Sequence, residues 1–195
     1  MTGLIILAAG SSSRLGKPKQ NLVFQGNTLL LRTIKAALAA DCQQIVVVLG
    51  ANGSVIEPTI LNQPIQIIHN PAWEEGMSSS IRHGLTTLLN THPHMQSVIL
   101  MLCDQPFADT AIINQLIQAS ANNKHLVACN YNGTIGVPAL FDKSHFEKLL
   151  AINGNEGAKK LLLKYKKEVH TVPFPLGMID IDTIGDYERL EIKDN

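Results

Sequence analysis

The sequence predicts an α/β fold in which a doubly wound, mostly parallel sheet forms the middle of three layers. Short apolar runs such as Leu4-Ile-Ile-Leu7 are continuous rather than alternating, which is typical of strands buried on both faces. These runs alternate along the chain with segments of helical periodicity, as parallel strands joined by crossover helices require. A length of 195 residues fits one domain that covers residues 1–195.

The first half of the chain alternates apolar strands with amphipathic helices. Strands are predicted where β-branched and other apolar residues run together, and helices where apolar residues recur every three or four positions. Gly50 and the pair Asn52-Gly53 end the second strand, and Pro58 lies in a short helix. In chain order the elements are a strand at 4–8, a helix at 28–40, a strand at 45–49, a helix at 55–61, a strand at 65–68, a helix at 78–89 and a strand at 98–102.

The second half continues this alternation with shorter elements. A change of pattern between residues 133 and 163 predicts a subdomain that elaborates one edge of the sheet. In chain order the elements are a helix at 111–121, a strand at 126–130, helices at 143–150 and 156–164, strands at 169–172 and 178–181, and a helix at 186–192.

Composition restricts the kinds of partner that the protein can attract. Sixteen basic and 16 acidic residues balance, so no overall field favours nucleic acid or an anionic membrane. No apolar run reaches the roughly 18 residues of a membrane-spanning helix, and the chain starts on a strand rather than a signal peptide. Cys42, Cys103 and Cys129 are odd in number and far apart, which argues against a disulfide framework and favours the cytoplasm.

The loop after the first strand has the composition of an anion-binding site. It contains Gly10 and three serines, which can turn sharply and direct several backbone N–H groups at one point. Arg14, Lys17 and Lys19 add positive charge. Neither the Walker spacing nor the dinucleotide-binding spacing of glycines is present. The loop therefore predicts a phosphate site of another kind.

Three further segments carry candidate functional groups. Asp104 ends an apolar strand, where it could hold Mg²⁺ or instead cap a turn or helix. Asp180 and Asp182 would share one face of an extended strand, which favours Asp180 as a second metal ligand and Asp182 as a turn or cap residue. The serines at 78–80 can cap a helix or bind polar edges of a ligand. Trp73 is predicted to be a core or lid anchor rather than a stacking residue.

Several segments, in the same order along the chain, resemble the signatures of the MobA-like nucleotidyltransferases. The first loop matches L-A-A-G-x-S-x-R-x-G-x-P-K. The segments G-M-S-S-S-I-R-x-G-L, C-D-Q-P and D-I-D-T are similar to the branch that contains the molybdenum cofactor cytidylyltransferases. Segments starting at Gly136 and Gly154 resemble G-x-P-x-x-F and G-D-x-G-A-[RK]-x-L-L, although Asn155 stands where the family usually has Asp.

This resemblance implies a Rossmann-like nucleotidyltransferase fold and an Mg²⁺-dependent transfer of CMP from CTP to molybdenum cofactor (molybdopterin), with release of pyrophosphate. It implies catalytic roles for Arg14, Lys19 and Asp104, with Asp104 binding the metal. Ala9 favours CTP, because the related guanylyltransferases tend to have glycine there. The nucleotide-binding residues that it implies are Leu7, Ala8, Ala9, Gly10, Ser11, Arg14, Lys19, Ser80 and Asp104.

The two halves of the chain are expected to divide the substrates between them. Residues up to about 110 would bind the NTP, and residues 111–195 would bind the acceptor, near 136–141 and the loop at Gly154. CTP and molybdenum cofactor are the implied substrates, and a molybdoenzyme or its maturation chaperone is the implied protein partner. Two alternatives stay open: an enzyme that uses another NTP or another phosphorylated acceptor, such as a sugar or polyol phosphate, and a non-catalytic nucleotide-binding accessory protein.

Overall fold

A computed structural model describes residues 1–121, 124–154 and 156–192; for residues 191 and 192 it describes the backbone only. Its main feature is a seven-stranded sheet, and a separate two-stranded hairpin follows the first loop. In chain order the strands are β1 (Thr2–Ala8), β2 (Val23–Phe24), β3 (Asn27–Thr28), β4 (Gln44–Leu49), β5 (Gln66–His69), β6 (Ser97–Leu102), β7 (Leu126–Tyr131), β8 (Thr134–Asp142) and β9 (His170–Pro173).

Helices follow most of the strands, as the sequence predicts. The N-terminus of the first is capped by the Thr28 hydroxyl, which accepts a hydrogen bond from the backbone N–H of Leu31. The helices are α1 (Leu29–Leu38), α2 (Gly53–Ile56), α3 (Met77–Thr91), α4 (Thr110–Ala121), α5 (Phe146–Leu150), α6 (Ala158–Lys164) and α7 (Ile184–Ile192). Among the described residues, no helix is long and apolar enough to cross a membrane.

The strand order of the large sheet is β5-β4-β1-β6-β8-β7-β9. Strands β5, β4, β1 and β6 are parallel, β8 is antiparallel to β6 and β7, and β9 is parallel to β7. The mostly parallel sheet confirms the predicted fold class. After β1 the chain builds outward through β4 and β5 and then returns to place β6 on the other side of β1. In doubly wound folds ligands bind at the carboxyl ends of the strands, beside such a reversal.

Helices cover both faces of the sheet, which confirms the three layers. On one face, α1 and α4 contribute Leu30, Ile34 and Ile113 to a core of fully buried side chains. On the other face, α3 and α5 contribute Ile81 and Leu149. The strands between them are buried on both sides, because their residues are apolar at consecutive rather than alternate positions.

The predicted edge subdomain is wrong, because β8 lies inside the sheet between β6 and β7. Gly136 and Pro138 interrupt the apolar pattern of this strand and conceal it in the sequence. The register between β7 and β8 shifts at Ala128/Cys129, so Pro138 lies in an irregularity of the ladder. A proline has no N–H to donate and is tolerated at such a place in a sheet.

The strand predicted at 178–181 is also wrong. A 3-10 turn covers Pro175–Met178, and the chain then continues without strand pairing to α7. The Ile181 side chain is buried, and its backbone N–H donates to the carbonyl of Asp104 at 3.0 Å. This backbone hydrogen bond holds the segment beside the residues that follow β6. The alternation argument for Asp180 and Asp182 therefore fails, because no strand orients them.

A third, smaller apolar cluster joins the first loop to the C-terminal helix. It lies outside the sheet, where the hairpin of β2 and β3 meets the segment that leads into α7. Its buried members are Leu15, Leu22, Phe24, Leu29, Ile181 and Leu190. Leu15 is thus the residue by which the predicted phosphate loop is anchored.

Candidate active site

A cleft of about 320 Å³ opens at the carboxyl ends of β1 and β6. It is lined by residues 7–11, residues 102–104, Lys19, Gln20 and the segment that leads into α3. Its volume is at the lower end of the range of about 300–1,000 Å³ that small-molecule sites occupy. Most of the residues expected to bind nucleotide therefore lie around one cavity, at the position that the fold favours for ligands.

Gln20, which the sequence analysis did not single out, braces the loop after β1. Its side chain is buried, and its amide donates to the carbonyls of Ala8 at 2.8 Å and Gly10 at 3.2 Å. The Ser12 hydroxyl accepts a hydrogen bond from the backbone N–H of Lys19 at 3.0 Å. These contacts tie both ends of the loop together. The only signal in the sequence for the bracing role of Gln20 is its position at the end of the loop motif.

One wall of the cleft is formed by close packing of Ala9, Gly50 and Trp73. A side-chain carbon at Gly50 would lie 2.6 Å from the Ala9 carbonyl and 2.8 Å from Cβ of Trp73, so only glycine fits. The Ala51 N–H donates to the Ala9 carbonyl at 3.1 Å and fixes its orientation. Trp73, expected in the core or a lid, is half-buried and lines this wall.

Lys19 joins two carboxylates at the floor of the cleft. Its Nζ lies 2.7 Å from Oδ2 of Asp104 and 2.9 Å from Oδ1 of Asp182. Side-chain exposure is only 16% for Lys19 and 12% for Asp104, so water screens this pair weakly. Burial alone would lower the pKa of Lys19, but the charge of Asp104 and the hydrogen bonds that Lys19 donates to both carboxylates outweigh it and raise the pKa. The lysine is therefore a cation at neutral pH.

Asp182 has a different role from the turn or cap predicted for it. Besides accepting from Lys19, its Oδ2 lies 3.7 Å from Nη1 of Arg14. Arg14 is 74% exposed and contributes little through this contact. Thr183 and Asp186 together cap the start of α7. The Asp186 carboxylate accepts hydrogen bonds from the N–H and hydroxyl of Thr183, and the Thr183 hydroxyl accepts one from the N–H of Asp186. Asp182 is thus the member of its pair that contacts the cationic residues.

Asp180 lies close enough to the other carboxylates to respond to their charge. Burial raises the pKa of Asp180 above its ordinary value, and the negative charges of Asp104 and Asp182 raise it further. Burial also raises the pKa of the neighbouring Cys103 thiol to about 12, which keeps it protonated and unreactive. The chemistry of this floor therefore depends on carboxylates and cations rather than on a thiolate.

The donor set fits a hard divalent cation. Oδ1 of Asp104 is buried and has no hydrogen-bond partner among the described residues. Carboxylate oxygens suit Mg²⁺, which needs only one or two of them when phosphate oxygens and water complete its shell. No group of three or more His, Cys, Asp or Glu that could hold a metal occurs in the described part of the chain. A cation here would thus depend on oxygens that a bound phosphate supplies.

The three serines in the first turn of α3 have different environments. The Ser78 hydroxyl donates to the carbonyl of Gly154 at 2.6 Å and links α3 to the loop before α6. The Ser79 hydroxyl donates to the carbonyls of Ala72 and Gly76, both at 2.8 Å. Ser80 accepts a hydrogen bond from the side chain of Asn70 at 3.0 Å and lines the cleft. Two of the serines are therefore structural, and Ser80 alone of the three borders the cavity.

The segments expected to hold the acceptor are only partly near the cleft. In the 136–141 segment, Ala139, Leu140 and Phe141 are fully buried in the core. Gly136 packs against Tyr131, and a side-chain carbon there would overlap the tyrosine hydroxyl. The loop at Gly154 reaches the start of α3 through its hydrogen bond from Ser78, and Asn155 lies outside the described residues.

Sequence comparison identifies relatives along most of the chain. Residues 4–169 match the family model described as the MobA-like NTP transferase domain. The molybdenum cofactor cytidylyltransferase of Escherichia coli (strain K12) is 29% identical over 94% of this chain and 92% of its own length. The nicotine blue oxidoreductase of Paenarthrobacter nicotinovorans is 32% identical over 58% of this chain, but the match spans only 54% of that protein.

Structure comparison also identifies solved structures that match nearly the whole chain. The crystal structure of Rv0371c from Mycobacterium tuberculosis H37Rv superimposes with a TM-score of 0.83 and 29% identity, covering 97% of this chain and 96% of the other. A second structure of Rv0371c, in complex with manganese, has a TM-score of 0.81 and 26% identity over 97% of both chains. The fold is thus shared with proteins of similar length.

Proposed function

The chain belongs to the MobA-like NTP transferase family, and from this premise we propose that it is a molybdenum cofactor cytidylyltransferase. It would transfer CMP from CTP to the terminal phosphate of molybdopterin and release pyrophosphate. The observation that carries this proposal is the cleft, where a glycine- and serine-rich loop with its cations meets the buried carboxylate of Asp104. The choice of CTP and molybdopterin is supported by the similarity to the E. coli enzyme along nearly the whole chain.

The donor nucleotide would lie across the cleft from the loop to α3. Backbone N–H groups of residues 8–11, with Arg14 and Lys19, would bind the triphosphate. The apolar wall at Ala9 and Trp73 suits a nucleobase, and the Ser80 hydroxyl would bind a polar edge of the base or ribose. Leu7 would contribute to the floor at the end of β1.

Transfer needs no covalent intermediate on the protein. An oxygen of the acceptor phosphate attacks the α-phosphorus in line, the new P–O bond forms, and the bond to the bridging oxygen of pyrophosphate breaks. A phosphate monoester is already ionised near neutral pH, so no protein base has to remove a proton. When bound, Mg²⁺ would neutralise phosphate charge as it develops. Asp104 would hold it, with Asp180 or Asp182 as the second carboxylate, and Arg14 would stabilise the departing pyrophosphate.

Ala9 supports the choice of the cytidylyl donor. Its side chain is 7% exposed and forms part of the wall that Gly50 and Trp73 complete. A methyl group here, in place of the hydrogen of glycine, narrows the space for a base. One methyl group typically discriminates by about 1–3 kcal/mol, which is enough to favour a pyrimidine over a purine.

The acceptor would bind on the side formed by residues 111–195, while residues up to about 110 bind the nucleotide. In that half, Asp182 reaches the floor of the cleft, Gly136 lies at the carboxyl edge of the sheet, and the loop at Gly154 is bonded to α3. The pterin phosphate would then approach the α-phosphorus from the side opposite the loop after β1. A molybdoenzyme or its maturation chaperone would receive the product.

The test is pyrophosphate release from CTP, GTP, ATP and UTP, with purified molybdenum cofactor and with a sugar phosphate as acceptors. We expect release with CTP and molybdenum cofactor and a rise in melting temperature with CTP and Mg²⁺. Preference for GTP would contradict the cytidylyl assignment. Release only with the sugar phosphate would contradict the acceptor, and no release under any condition would indicate a non-catalytic nucleotide-binding protein.

A further inference from the structure

The ammonium of Lys19 is bonded to carboxylates in the structure, although the residue lines the cleft where the proposed function places the triphosphate. The proposed function requires its ammonium to meet the triphosphate and requires Asp104 to hold a divalent cation. In the structure the ammonium lies between the carboxylates, 2.7 Å from Asp104 Oδ2 and 2.9 Å from Asp182 Oδ1. A cation that used these two oxygens would have to replace it, because two positive charges at such separations repel, and the side chain of Asp104 is only 12% exposed, although that of Asp182 is 45% exposed.

From this geometry, and resting on the proposed function, we propose that Lys19 is an internal cation that closes the Asp104–Asp182 pair to divalent metal until the donor triphosphate draws its ammonium away. Nucleotide binding would then open the metal site. The free protein would bind metal weakly, and the metal would bind tightly only together with nucleotide. The residue would act first on the carboxylates and then on the phosphates.

The movement requires only a change of the lysine side chain. The backbone of Lys19 is held by its hydrogen bond to the Ser12 hydroxyl, and the next residue, Gln20, is bonded to the loop that would hold the phosphates. The ammonium is carried on a flexible four-carbon stem, so it can exchange carboxylate for phosphate oxygens without moving the backbone. The triphosphate, with several negative charges, attracts it more strongly than the two carboxylates do.

The two carboxylates do not need Lys19 to stay in place. Asp104 and the C-terminal segment are already joined by the backbone hydrogen bond from Ile181 to the Asp104 carbonyl. The backbone N–H of Asp182 donates to Asp186 at 3.3 Å, so the cap of α7 positions Asp182 as well. The pair therefore persists when the ammonium leaves, and its mutual repulsion then favours a divalent cation.

Binding of Mn²⁺, measured by electron paramagnetic resonance of the free ion, tests this gate without any turnover. Lys19→Met and Lys19→Gln remove the charge. Lys148→Met is the matched control, because Lys148 on α5 lies outside the cleft and over the ring of Tyr165, 4.2 Å from its centre. Without nucleotide, we expect both Lys19 variants to bind Mn²⁺ at least about tenfold more tightly than the wild type and the control. Equal or weaker binding by the folded Lys19 variants would overturn the proposal.

A measurement on the wild-type protein keeps the proposal falsifiable if the variants do not fold. Calorimetry in the presence of EDTA should show that a CTP analogue with a methylene group between its α- and β-phosphates binds without metal. Tight Mn²⁺ binding to the free wild type, together with no binding of the analogue unless metal is present, would overturn the gate. With the analogue bound, the difference in Mn²⁺ affinity between the wild type and the Lys19 variants should shrink.

The gate and the proposed function can fail separately. Mn²⁺ binding that rises in the Lys19 variants, with no pyrophosphate release from any NTP and acceptor, would support the gate and contradict the function. Pyrophosphate release from CTP and molybdenum cofactor, with equal Mn²⁺ affinity in all four proteins, would contradict the gate and support the function.

Discussion

The substitution Leu15→Ala tests whether the phosphate loop depends on its apolar anchor. The Leu15 side chain is 3% exposed and packs in the cluster with Phe24 and Leu190. The change removes three carbon atoms from an apolar environment, worth about 0.8 kcal/mol each, or about 2.4 kcal/mol in total. Because the cluster is small and lies outside the sheet, we expect it to collapse around the gap, so the extra cost of a cavity should be small.

This loss should fall mainly on the loop rather than on the whole fold, since neither main core contains Leu15. A loss of about 2.4 kcal/mol shifts the equilibrium between anchored and released loop by up to about fiftyfold. Only the anchored loop binds nucleotide, so the apparent affinity for nucleotide falls in proportion to the fraction of molecules in which the loop stays anchored. Binding of the methylene analogue of CTP is measured by calorimetry, and the free energy of unfolding by urea denaturation.

The matched control is Leu163→Ala, because Leu163 is 51% exposed on α6 and lies outside the cleft. We expect the control to keep both nucleotide affinity and stability. Unchanged nucleotide affinity in Leu15→Ala, with the full loss appearing in global stability, would refute the reasoning, since the anchor would then stabilise the fold and not the loop.

Three further predictions concern the carboxylates and the acceptor side. Asp104→Asn should abolish Mg²⁺-dependent pyrophosphate release while the circular dichroism spectrum stays native; full activity would exclude the metal role. Gly136→Ala should lower stability by about 1–3 kcal/mol, because its methyl group overlaps the Tyr131 hydroxyl. Tyr131→Phe in the same chain should recover part of that loss, and no recovery in urea denaturation would show that the strain lies elsewhere. Hydrogen bonds from Thr183, chiefly from its hydroxyl, lower the pKa of Asp186 to about 2, so the stability that this carboxylate contributes is present above its ordinary value of 3.8 and is lost as the pH falls towards 2. The difference in melting temperature between wild type and Asp186→Asn should therefore shrink over that range; a constant difference would contradict the assignment.

The elements that could be predicted from the sequence are those whose local pattern is regular. After a first Thr or Ser residue, strands such as β1 and β6 are apolar at consecutive positions, so burial on both faces could be predicted from the sequence pattern alone. The strand β8 was not, since Gly136 and Pro138 break its pattern and are tolerated only through an irregular register with its neighbour. A local sequence pattern therefore predicts a strand well when the strand pairs with its neighbours in a regular register.

The same distinction applies to the candidate site. The position of Lys19 and Asp104 at the cleft could be predicted from the sequence. Asp104 follows β6, Lys19 lies in the loop after β1, and both strands end at the cleft. The preference for Asp180 over Asp182 assumed a strand, and the assumption failed because Ile181 bonds to a single backbone carbonyl instead of a neighbouring strand. Gln20 and Leu15 could not be assigned, since their roles arise from contacts with carbonyls and side chains distant in sequence.

The charges around the cleft give an independent reason for coupling metal to nucleotide. Three carboxylates, Asp104, Asp180 and Asp182, face two cations, Arg14 and Lys19, and the excess of negative charge adds to burial in raising the pKa of Asp180. A bound triphosphate adds about four negative charges near neutral pH, which the same two cations cannot neutralise. A divalent cation lowers this repulsion only if it binds where phosphate and carboxylate oxygens meet. Nucleotide without metal should therefore still bind, but less tightly than with metal, and metal without nucleotide should compete with Lys19. The two ligands therefore favour each other by the same factor, as linkage requires.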